Sequence, residues 1–81
     1  MRSLEIDTEP TAIDVKIEGG FICIKLMDER EIRFPVAKNK RLKNATEKQL
    51  KNFELICGGT GIHWEELDED LSILGILEGR L

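Results

Sequence analysis

Apolar and charged positions alternate strictly over Ile13-Asp14-Val15-Lys16-Ile17-Glu18. A period of two places Ile13, Val15 and Ile17 on one face of a half-buried strand. Gly19-Gly20 follows, and paired glycines supply the positive φ that a tight hairpin requires. Phe21 to Met27 is apolar at every position except Lys25. A strand so apolar is covered on both faces or lies centrally in its sheet. Asp28-Glu29 predicts the next turn, and Arg30 to Val36 a third strand with Ile32 and Phe34 inward. Pro35 has no amide to donate, so it ends that strand or lies at an edge.

Beyond this meander the pattern changes. Residues 37–45, rich in lysine and asparagine, read as a loop. Thr46-Glu47-Lys48-Gln49 matches a capping box, in which the threonine oxygen accepts a free amide and the glutamine reaches back. Leu50, Phe53, Ile56 and Cys57 then recur at helical spacing, predicting one helix from Thr46 to Cys57 with Gly58-Gly59 as its stop. Leu55 falls off that stripe. Glu47 and Lys51 stand four apart in the favourable order. Ile62 and Trp64 flank His63 and predict a short fourth strand with the imidazole outward. Asp68-Glu69-Asp70 reads as a turn or helix entry, and Ser72 as the cap of a last short helix through Leu77.

The expected fold class is therefore α+β. It is a three- to four-stranded, mainly antiparallel sheet with one helix packed on a face and a short C-terminal helix. No linker, repeat or low-complexity stretch divides residues 1–81, so a single domain is expected, entered by an arm over residues 1–11.

Composition narrows this little. The 81 residues are 41% hydrophobic and 5% aromatic, which makes the expected core aliphatic. Charged residues reach 35% with a net charge of −4, compatible with a folded acidic protein. Cys23 and Cys57 each sit in an apolar run and are expected to be buried free thiols, since a disulfide framework in so short a chain shows more cysteines. No leader pattern and no apolar run of about 18 residues is present, so the expected location is the cytoplasm, without membrane association.

Candidate chemistry is sparse. His63, the single histidine, could join Asp68 in a metal-dependent enzyme, but it lacks a second ligand at metal-binding spacing. The carboxylates Asp68, Glu69 and Asp70 are better explained as charges beside a helix start than as a calcium loop, which would need a glycine and a distant glutamate. Lys38, Lys40, Arg41, Lys43, Lys48 and Lys51 form a basic segment opposed only by Glu47, whereas residues 65–70 hold five acids and no base. Arg41, Lys43, Lys48 and Lys51 could hold phosphates, yet no aromatic residue lies among them to stack a base. There is no phosphate loop, nucleophile–histidine pair or cofactor motif, so neither catalytic residues nor a cofactor are expected.

Arg41-Leu42, Asn44-Ala45-Thr46, Gly61-Ile62-His63-Trp64 and Leu67-Asp68-Glu69-Asp70-Leu71-Ser72 together resemble the signature of the bacterial domain-of-unknown-function 2442 family. The likeness spans about Ala12 to Leu77 and includes Phe34-Pro35-Val36. This chain has Asn39-Lys40 where the family tends to carry an aromatic-proline pair, and Asp28-Glu29 where it tends to have Asp-Gly. The resemblance implies a small protein without an assigned catalytic residue, often encoded beside another short protein, and hence an antitoxin-like role. The combined expectation is a non-enzymatic protein-interaction module, the acidic partner of a two-protein regulatory pair. Trp64, Asp68, Glu69 and Asp70 would form or support its contact surface, and a neighbouring gene would encode its partner. Nucleic-acid binding through Arg41, Lys43, Lys48 and Lys51 is the alternative.

Overall fold

Two three-stranded antiparallel sheets follow one another along the chain in the computed structural model, which describes residues 10–79. The first sheet contains β1 (Ala12–Glu18), β2 (Phe21–Leu26) and β3 (Glu31–Pro35), in that order. The second contains β4 (Glu54–Ile56), β5 (Gly61–Trp64) and β6 (Glu69–Ser72). Helix α1 (Glu47–Lys51) lies between the sheets in sequence, and α2 (Ile73–Leu77) follows β6. The α+β class and the three-stranded meander agree with the pattern of the sequence. Residues 1–9 of the expected entry arm lie outside the described residues.

The first sheet forms for the reasons its sequence suggests. Gly19 and Gly20 both have positive φ, at 53° and 82°, as the β1–β2 turn demands. Central β2 buries Ile22, Ile24 and Leu26, while Phe34 of β3 joins them. Arg33 lies over the half-buried Phe21 ring at 4.5 Å, a cation–π contact on the outer face. Ile13 departs from expectation: it is 52% exposed. Ala12 pairs with Leu26 but Asp14 pairs with Lys25, so β1 carries one extra residue. That bulge rephases the alternation, turning Ala12, Val15 and Ile17 inward and Ile13 out.

The second sheet revises the expected long helix. The capping box at Thr46 and Gln49 is present with both reciprocal bonds, at 3.1 and 2.9 Å. The helix it starts ends after Lys51, with Asn52 as its C-cap. A five-residue helix has little stability of its own. The next residues instead satisfy their backbone groups against β5, where Glu54, Leu55 and Ile56 pair with His63, Ile62 and Gly61. Leu55, off the predicted helical stripe, was the sign of this. Gly58 and Gly59 still break the chain, but as the turn between β4 and β5. Cys57 stands exposed at φ 54° and Cys23 is half-buried, so neither is the buried thiol expected. The predicted fourth strand exists as β5, central in this second sheet.

Residues from both sheets and both helices contribute to one hydrophobic cluster, with Ile22, Ile24, Leu50, Ile62, Trp64 and Ile73 among its members. Gly59 shows how closely the sheets approach. A Cβ built there would lie 2.7 Å from both the Ala12 carbonyl oxygen and Thr11 Cγ2, so the start of β1 passes directly over the β4–β5 turn. The Ile73 amide donates to the Thr60 carbonyl at 2.9 Å, and Ser72 Oγ accepts the Gly75 amide at 2.8 Å, the cap expected for α2. Among the described residues no helix is long and apolar enough to cross a membrane.

Candidate functional site

Strand alternation divides the acidic run that looked continuous in sequence. Asp68 occupies the β5–β6 turn with φ 53°, a left-handed conformation that aspartate tolerates better than most residues. Glu69 and Asp70 open β6 and point to opposite sides of it. None of the three flanks a helix start, so the capping role expected for them is not what the fold uses; Ser72 caps α2.

Glu69 turns inward. Its Oε2 accepts from Asn39 Nδ2 at 2.8 Å, and its Oε1 lies 3.9 Å from Arg41 Nε. Asn39 is 2% exposed, and its Oδ1 accepts the amides of Arg41 and Leu42 at 2.9 and 3.0 Å. The basic loop and the acidic segment of the same chain therefore meet, through one buried amide. A second bridge runs from Gln49 Nε2 to Glu66 Oε2 at 2.9 Å.

Trp64 lies beneath this surface and not in it. Its side chain is fully buried at 0% exposure, so of the two roles expected for it, forming or supporting a contact surface, only support is open to it. The indole Nε1 donates to the Leu50 carbonyl at 2.9 Å, satisfying one of the acceptors that a helix C-terminus leaves open. Phe53 packs against it with ring centroids 6.5 Å apart. Trp64 can only support a surface by holding α1 and β5 together.

Asp70 turns outward, to His63. The two are cross-strand partners, and Asp70 Oδ1 and His63 Nδ1 are hydrogen-bonded. Glu65 Oε1 lies 3.1 Å from Nε2. These two carboxylates, Asp70 foremost, hold the imidazole pKa above the ordinary histidine value, because only the imidazolium donates to both at once. On the other flank Glu54 of β4 pairs across the strand with His63. Donor atoms of Glu54, His63 and Glu65 all lie within 4.8 Å of one another. The outward imidazole agrees with the strand pattern; its partners do not include Asp68. Glu54 escaped the sequence reading because it fell inside the predicted helix. Its period-two relation to the flanking Phe53 and Leu55 was the available signal.

The basic segment is partly committed. Lys51 pairs with Glu47 at 3.2 Å, the i,i+4 pair expected, and Arg41 with Glu69. Lys43 and Lys48 are exposed. Lys48 and Lys51 line a shallow groove of about 380 Å³ with Asn52 and Glu66. The Glu66 carboxylate in that groove opposes a phosphate there.

The chain belongs to the family described as protein of unknown function (DUF2442), whose model matches residues 12–81. It is similar to a protein of unknown function from Rhodospirillum rubrum, whose crystal structure superimposes with a TM-score of 0.80 at 31% identity over 89% of each chain. A similar fold occurs in the solution structure of an uncharacterised protein from Chromobacterium violaceum, with a TM-score of 0.75 and 35% identity. That match covers 86% of this chain and 66% of the other. No curated protein matches the chain.

Proposed function

We propose that this chain is a non-enzymatic protein-interaction module, the acidic, antitoxin-like partner of a two-protein regulatory pair. Its docking face is the outer side of the second sheet together with the β5–β6 turn. The observation that supports this reading is the display of four exposed carboxylates, Glu54 and Asp70 on short paired strands and Glu65 and Asp68 in the turn between β5 and β6. The buried Trp64 fixes the strands from below. Same-sign charge held on a rigid surface steers an oppositely charged partner and raises its association rate. A partner with a basic surface fits this face.

Of the residues expected in the contact surface, Asp68 and Asp70 remain on it, Glu69 is committed to Asn39, and Trp64 supports from within. Nucleic-acid binding has weaker support, because Arg41 and Lys51 already pair with carboxylates of this chain.

The test is co-expression with the basic product of the neighbouring gene, followed by association kinetics at low and high salt. Replacing Glu65, Asp68 and Asp70 together by lysine should slow association by at least about tenfold. Unchanged kinetics in that variant, or no complex with the wild-type chain, would overturn the proposal.

A further inference from the structure

Glu54, His63 and Asp70 form one cross-strand row over the outer face of the second sheet, and Glu65 adds a third carboxylate. No lysine or arginine among the described residues pairs with any of these acids. Like charges gathered on neighbouring strands repel; the His63 imidazolium faces two of them, Asp70 and Glu65, and no ion pair among the described residues engages Glu54.

The two sides of the imidazole differ. Asp70 engages Nδ1 and so orients the ring, while Nε2, which faces Glu65, offers a lone pair to a metal once its proton leaves. This carboxylate–imidazole pairing is the one that stands behind metal-bound histidines, where it also raises the basicity of the ligating nitrogen. Glu65 faces Nε2 at 3.1 Å. Glu54 completes a set of three donors within 4.8 Å of one another, and Asp70 stands outside that set.

We infer that Glu54, His63 and Glu65 bind a divalent transition metal of the zinc class, with Asp70 as the residue that orients the imidazole. Zinc sits about 2.1 Å from nitrogen and oxygen ligands, so two donors on one ion are at most about 4.2 Å apart. Both glutamates are exposed, and small side-chain rotations close the remaining gap. An imidazole with carboxylates suits zinc, cobalt or nickel better than magnesium or calcium. Three protein ligands at an exposed site leave the remaining positions to water. At Nε2 the ion takes the place of the proton that the imidazolium would otherwise donate to Glu65. The site shares Glu54, Glu65 and Asp70 with the proposed docking face, but metal binding is read without any partner present.

The test is titration of the metal-stripped full-length protein with zinc at neutral pH, read by calorimetry and by the His63 ring resonances. We expect saturable one-to-one binding that shifts those resonances and is not displaced by excess magnesium. Cys57→Ser and Cys23→Ser should bind as the wild type does. His63→Gln should abolish binding. Glu65→Gln, at a site whose side chain is 87% exposed and tolerant of change, should weaken it at least about tenfold. Asp70→Asn should weaken it by about 10- to 100-fold. The inference is overturned if wild-type protein shows no saturable binding, if His63→Gln and Glu65→Gln both leave the affinity unchanged, or if loss of Cys57 removes it.

Discussion

Asn39 and Glu69, thirty residues apart in the chain, are joined by a hydrogen bond of 2.8 Å that ties the lysine-rich loop to the first residue of β6. The same asparagine organises its own loop by accepting the amides two and three residues along, those of Arg41 and Leu42. Leu42, placed by that turn, is fully buried. One polar side chain thus seats a core residue and secures a long-range contact.

Asn39→Ala should therefore destabilise the fold by about 1–3 kcal/mol, because two amides and one carboxylate lose a partner where little water reaches them. Urea unfolding gives the value. A loss below a few tenths would show that the loop re-forms without this staple.

Trp64 offers an internal probe. As the single tryptophan, buried and hydrogen-bonded to the Leu50 carbonyl, it should fluoresce at short wavelength and shift red on unfolding. Trp64→Phe keeps most of the volume and should cost about 1–3 kcal/mol through the orphaned carbonyl. Trp64→Ala should cost about 3–5 kcal/mol. Equal effects from the two substitutions would mean that the hydrogen bond carries the whole contribution.

Gly59 and Gly58 should respond differently to alanine. Gly58, at φ 67° with nothing near its missing Cβ, should lose about 1–2 kcal/mol from backbone strain alone. Gly59, at φ 100° and facing the Ala12 carbonyl at 2.7 Å, should lose more, since the clash adds to the strain. Thermal denaturation of the two variants side by side decides the ranking.

The His63 cluster sets a pH dependence. Its pKa is raised in the folded protein, chiefly by Asp70 and then by Glu65. The folded state therefore binds the proton more tightly than the unfolded chain. The resulting stabilisation is fully present below the unfolded pKa, near 6.5, and is lost as pH rises through the higher folded value. In buffer containing a chelator, the melting temperature should thus carry a His63 contribution that falls as pH rises above about 6.5. His63→Gln should remove that part of the slope, and a slope identical in both proteins would count against the assignment.

What the sequence disclosed was local. The capping box at Thr46, the glycine pair at 19–20, the Ser72 cap and the alternation of Ile62 and Trp64 about His63 depend on neighbours within a few residues, and all are present. What it concealed was non-local. Leu50, Phe53, Ile56 and Cys57 fit a helical period, yet backbone pairing with β5 makes a strand of Glu54–Ile56. That exchange moved Glu54 from a helix surface to the side of His63. Asn39 looked like one more polar loop residue, because nothing near it in sequence announces the glutamate that binds it.

The bulge in β1 has a consequence for encounters between folded molecules. Among the described residues β1 borders its sheet, and a straight border strand presents a regular row of amides and carbonyls on which another chain can template itself. The extra residue between Ala12 and Asp14 breaks that row, so an incoming strand finds correct spacing only along the remainder, where Lys16 and Glu18 add charge. A local irregularity that misplaces one isoleucine thereby guards against runaway sheet growth.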